Sequence, residues 1–115
     1  MSILITQIFA LDTAYYFDGL VNTAKVYFSD DTSLEINNVT ITITHDNEQK
    51  KYFVNFQFSI NTEETKTLTK IEYYYKYNEN YNEYYDLILV RDELSININS
   101  GTTQITHEVS ISYQV

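Results

Sequence analysis

The residues of this chain best equipped for chemistry are two histidines, His45 and His107, and 16 carboxylates. A divalent metal would need them at short ligand spacings such as HxH or HExxH, and neither occurs. The pair His107-Glu108 does not serve, because neighbouring side chains on a strand point to opposite faces. His45, beside Asp46 at a strand end, reads as a solvated turn residue. His107 shares a register with Ile105, Val109 and Ile111 and reads as a partly buried, hydrogen-bonded histidine. General acid–base catalysis needs two carboxylates held across a cleft. Asp86, immediately before an apolar run, is the acid most open to desolvation, but it reads first as an acid at a strand start. There is no GxSxG elbow and no cysteine, and neither of the two glycines belongs to a phosphate-cradling loop. Arg91 is the single arginine, which excludes repeated bidentate phosphate recognition. No catalytic, metal-binding or cofactor-binding residue is assigned.

Tyrosine is a different matter. Of the 12 tyrosines, seven fall between Tyr73 and Tyr85, interleaved with Glu72, Glu79, Glu83 and Asp86. Tyrosine offers a large, rigid, amphipathic contact area at low entropic cost, so binding surfaces use it heavily. Tyr73, Tyr75 and Tyr77 are expected to face the core or an opposing sheet. A protein partner is expected to meet Tyr74, Glu79, Tyr81, Glu83, Tyr84 and Asp86, with Tyr81 at the tip of a protruding loop over Asn78–Glu83.

The net charge of −9 argues against direct binding of nucleic acid, which depends on neutralising phosphates with Lys and Arg. It argues equally against an anionic membrane surface. The apolar start of the chain has no basic flank, is interrupted by Thr6 and Gln7, and is too short to cross a membrane. Neither a signal peptide nor a transmembrane segment is therefore expected, and the reading is a cytoplasmic or virion protein. Heavy use of Asn, Thr, Tyr and Ile is of the kind found in AT-rich genomes, viral and phage genomes among them.

The elements that must position these residues are strands. Ile, Val, Thr, Tyr and Phe dominate the composition, and proline is absent. In KYFVNFQFSI (residues 51–60), Tyr52, Val54, Phe56, Phe58 and Ile60 fall on one face and polar residues mostly on the other. The preceding Val39, Ile41 and Ile43 alternate with threonines, and His45–Lys50 is of hairpin length. Further alternation predicts strands over Thr23–Phe28, Leu34–Ile36, Thr67–Tyr77, Leu94–Ile98 and Ile105–Tyr113. The first of the last three would put Thr67, Thr69, Ile71 and Tyr73 on one face, with Leu68 and Lys70 opposite. The nearly unbroken apolar run Tyr84–Val90 predicts a strand buried on both sides. An opening strand is expected over Ser2–Leu11. Asp12–Asn22 is the one place for a short helix of one or two turns, with Asp12 as its N-cap.

Seven to nine short strands with nothing long enough for a parallel crossover predict a single all-β domain over 1–115. The architecture is a two-layer antiparallel β-sandwich, with a small barrel as the alternative. Its core should hold Val54, Phe56, Phe58, Ile96, Ile98, Val109 and Ile111. The expected function is a non-catalytic acidic interaction module, an inhibitor or adaptor that occupies the basic surface of a nucleic-acid-binding partner. The alternative is a structural assembly subunit that forms homo-oligomers through unguarded sheet edges.

Overall fold

The computed structural model describes residues 5–114. The chain runs α1 (Ile5–Leu20), β1 (Thr23–Phe28), β2 (Ser33–Ile36), β3 (Thr40–Asp46), β4 (Lys51–Thr62), β5 (Lys66–Glu79), β6 (Asn82–Arg91), β7 (Ile96–Ile98) and β8 (Gly101–Ser112). Strands make up 62% of the described residues, and they form two antiparallel sheets that pack on each other as a sandwich. One sheet has the order β2-β1-β5-β6, with β7 pairing the start of β5; the other has the order β3-β4-β8.

β4 is the centre of the smaller sheet, and its alternation is realised without a break. Tyr52, Val54, Phe56, Phe58 and Ile60 are all buried, while Phe53, Asn55, Gln57 and Ser59 are not. Hairpin pairing with β3 sets Ile41 opposite Phe56 and Ile43 opposite Val54. On the other side β8 sets Val109 opposite Val54 and His107 opposite Phe56. Val26, Phe28, Leu68, Ile71 and Tyr73 of the larger sheet, together with Ile98, complete the core.

The expected opening strand is replaced by a helix. Of Ser2–Leu11, residues 2–4 lie outside the described residues, and the rest belongs to α1, which continues well past Asp12. Asp12 is thus mid-helix rather than an N-cap. The reason is an inward stripe: Ala10, Ala14 and Phe17 recur at helical spacing, and Val21 follows them just past the helix end. Phe17 meets Phe56 edge to face with ring centroids 6.2 Å apart. The helix contacts β3, β4 and β8, so it and the larger sheet share the apolar face of the smaller one.

Two bulges account for the other departures. β5 carries an extra residue, Thr69, where Tyr27 pairs with Lys70 and Phe28 with Leu68. That shift turns Leu68 into the core and takes Thr67 and Thr69 out of the expected apolar row. β6 carries an extra residue, Ile88, between the pairs Tyr73–Leu89 and Tyr74–Leu87. Leu89 therefore shares a face with Tyr73 while Leu87 points away, 52% exposed. β6 is an edge strand rather than one buried on both sides, and Val90 is exposed as well. Ile98 is fully buried, but Ile96, expected in the core, is 37% exposed on the short strand β7. Val109 and Ile111 are partly buried against the core.

Candidate functional site

The tyrosine-rich segment forms a hairpin that outruns its sheet. β1 accompanies β5 only as far as the pair Thr23–Tyr74. The Asn22 side chain then imitates one more strand residue: its amide nitrogen donates to the Lys76 carbonyl and its oxygen accepts from the Lys76 N–H, both at 2.9 Å. Beyond that point the backbones of β5 and β6 pair only with each other, from Tyr75–Asp86 to Glu79–Asn82. The expected loop over Asn78–Glu83 is thereby reduced to the two residues Asn80-Tyr81. Their φ values, 52° and 68°, are both left-handed, as a type I′ hairpin turn requires. Glycine is the usual second residue of such a turn; here it is tyrosine, and its side chain is fully exposed.

The two faces of this hairpin differ in charge. On the outward face, Tyr85 donates to Glu35 at 2.8 Å, and the Lys76 ammonium lies 2.8 Å from the other oxygen of the same carboxylate. Both contacts hold Glu35 below the usual glutamate range. Tyr74 donates to Glu72 at 2.8 Å. Burial and then this carboxylate push the Tyr74 phenol upward. Lys70 sits 4.3 Å over the Tyr27 ring, and Glu83 lies 4.0 Å from Lys76. Carboxylates and ammoniums therefore offset one another here, and Tyr74 is committed to internal contacts.

The opposite face continues from buried Tyr73. Tyr75, Tyr77 and Tyr84 form a stacked ladder there, with centroids 5.2 and 5.5 Å apart and planes within 21° of parallel. Asp86, paired with Tyr75, and Glu79 stand beside it. Desolvation first, then the charges of Asp86 and Glu79, raise the Tyr77 phenol above its ordinary value. No cation pairs with Asp86 or Glu79 among the described residues. Of the expected contact residues, Tyr84, Asp86 and Glu79 thus converge on one aromatic, acidic face. Tyr81 stands alone at the tip, and Tyr74 and Glu83 lie on the other side. Tyr75 and Tyr77, expected to face the core, instead complete the ladder partly or largely exposed, on the part of β5 that β1 no longer accompanies. Their alternation with Tyr73 is visible in the sequence, but the point at which cover runs out is not.

The histidines are engaged with tyrosine. His107 is 7% exposed, and its Nδ1 lies 3.0 Å from the Tyr73 hydroxyl. Burial, assisted by the Arg91 charge, lowers its pKa to about 4. His45 stacks on Tyr52 at 4.4 Å and hydrogen-bonds the Tyr113 hydroxyl through Nε2, so it is not merely a solvated turn residue. Among the described residues, no group of three or more His, Cys, Asp or Glu side chains is placed to hold a metal ion. No described helix is long and apolar enough to cross a membrane.

The remaining acids scatter. Asp30-Asp31, Asp46 with Glu48, Glu63-Glu64 and Asp92-Glu93 each occupy a different turn or connection. No family model matches this chain, and no curated protein or solved structure matches it either.

Proposed function

We propose that the protein is a non-catalytic interaction module that captures a basic segment of a partner protein on the β5–β6 hairpin. The observation that carries this reading is the Tyr75–Tyr77–Tyr84 ladder flanked by the unpaired carboxylates of Glu79 and Asp86. Stacked aromatic faces attract Lys and Arg side chains, and nearby carboxylates draw them in and orient them. A partner that uses the same basic surface for nucleic acid would be blocked by this contact, which is the inhibitor or adaptor role in physical terms. Tyr81 supports the reading independently. A bulky residue in a left-handed turn costs about 1 kcal/mol relative to glycine, and this side chain contributes nothing to the core in return. Departures from local preference of this kind concentrate at functional positions.

The test is affinity capture of a partner followed by binding kinetics at low and high salt. Tyr81→Ala should leave the circular dichroism unchanged and weaken binding by about 2 kcal/mol or more. Tyr81→Gly should weaken binding as much while raising folding stability by about 1 kcal/mol; a residue with a purely structural role cannot give these opposite signs. Replacing Glu79 with Gln and Asp86 with Asn together should slow association and flatten its salt dependence. Three variants that bind like the parent would end this reading.

Two observations favour the second reading, an assembly subunit. Half of the 16 acids are dispersed over separate turns, and β3 and β8 each pair on one side only, through β4. Loss of self-association in a folded Thr42→Pro variant, with the hairpin variants behaving as the parent, would put edge-to-edge assembly in its place.

A further inference from the structure

α1 is apolar on both sides, and among the described residues only one side is covered. Ala10, Ala14 and Phe17 face the sandwich. At about 100° per residue, Ile5, Ile8, Phe9, Tyr15 and Tyr16 fall within one outward arc, whose only charged member is Asp12. These five side chains are between 43% and 69% exposed. A helix apolar all round is ordinarily buried all round. The face is distinct from the hairpin just described and owes nothing to that reading.

We propose that the outward face of α1 is a self-association surface, onto which a second copy of this chain docks its own α1 across a two-fold axis. Area is the first argument. The five side chains present on the order of 600 Å², so two such faces brought together would hide roughly 1,200 Å², the lower bound of a stable standard interface. Charge is the second. Two copies that each carry −9 repel, and they meet most easily where carboxylates are fewest. The turns of the sandwich carry acids in pairs, whereas this helix face carries one. Spacing is the third. Ile5, Ile8, Asp12 and Tyr15 recur at the three- and four-residue intervals of a helix–helix seam. An antiparallel two-fold pairing then sets Ile8 across from Asp12 of the second copy and Ile5 across from its Tyr15. The two Asp12 carboxylates are kept from direct opposition, and each end of the seam is closed by the same pair of residues.

Asp12 makes the inference sharp, because a lone polar residue in such a seam weakens the pair that contains it. The experiment is sedimentation equilibrium of the full chain from micromolar to millimolar concentration, with circular dichroism and thermal melting of each variant. The parent should approach twice the 13.6 kDa of one chain. Phe9→Glu and Ile8→Ser, both at exposed positions, should each raise the dimer dissociation constant by about thirtyfold; the monomer should stay folded. Asp12→Asn should tighten the dimer severalfold. Added salt should strengthen it by screening the net repulsion, the opposite of its effect on a basic partner at the hairpin. A parent that stays monomeric throughout would overturn the proposal. So would a dimer indifferent to both Phe9→Glu and Ile8→Ser, which would locate the contact on another surface. Flotation of monomer with phosphatidylcholine vesicles, abolished by Phe9→Glu, would overturn it in favour of a lipid surface.

Discussion

Phe56→Ala should destabilise the protein by about 3–5 kcal/mol through lost transfer free energy and the cavity left behind. That is a large share of a small domain's total stability. Phe56 has no exposed surface, and it meets aromatic rings from the helix and from both sheets. Tyr73 of the larger sheet stacks on it at 4.4 Å, Phe17 of the helix meets its edge at 6.2 Å, and His107 of β8 lies 5.7 Å away. An alanine here would separate three elements at once, and the aromatic rings around it cannot collapse into the space without leaving their own contacts. Urea denaturation of parent and variant measures the loss, with Thr42→Ala on the exposed face of β3 as a control expected to change stability by less than about 0.5 kcal/mol. A loss below about 1 kcal/mol at Phe56 would mean that this face of β4 is not the core.

Acidification should cost the protein up to about 3 kcal/mol through His107 alone. In the folded chain the imidazole is neutral, with its pKa lowered to about 4 by burial and then by the Arg91 charge. In the unfolded chain it titrates at about 6.5. As the pH falls below that value, the unfolded state gains a proton that the folded state does not yet accept. The stability contributed by neutral His107 is therefore fully present above about 6.5 and lost as the pH falls toward about 4. Carboxylates act in a lower window: hydrogen bonds from Thr32 hold Asp30 at about 2, so its contribution disappears only in stronger acid. His107→Gln keeps a hydrogen-bonding group for the Tyr73 hydroxyl and removes the titration. Urea denaturation at pH 7 and at pH 4.5 should show a smaller difference for this variant than for the parent. Equal slopes in the two proteins would remove His107 as the cause.

Much of this arrangement is legible in the chain before folding. The uninterrupted alternation of Tyr52 to Ile60 identifies the buried face of β4, and the apolar register of His107 identifies a histidine inside the protein. Both follow from one fact, that strand side chains alternate and only one face of each sheet meets the core. The concentration of tyrosine and carboxylate between Tyr73 and Asp86 likewise marks the candidate surface. What misleads is the run Tyr84–Val90. Its apolar residues suggest burial on both faces, yet the bulge at Ile88 divides them between an inward and an outward face at the edge of a sheet.

The sequence by itself determines the strand periodicity, the all-β class and the absence of a catalytic signature, because each is a property of residue type and local spacing. The tertiary structure decides the rest. Whether Ile5–Leu20 is strand or helix depends on Ala10, Ala14 and Phe17 finding the uncovered part of the smaller sheet, a contact between residues far apart in the chain. Whether Tyr75 and Tyr77 are core or surface depends on how far the rest of the fold accompanies β5, which β1 does only to Tyr74. Register shifts at Thr69 and Ile88 then select which side chains share a face, and a shift of one residue reverses that choice for everything beyond it.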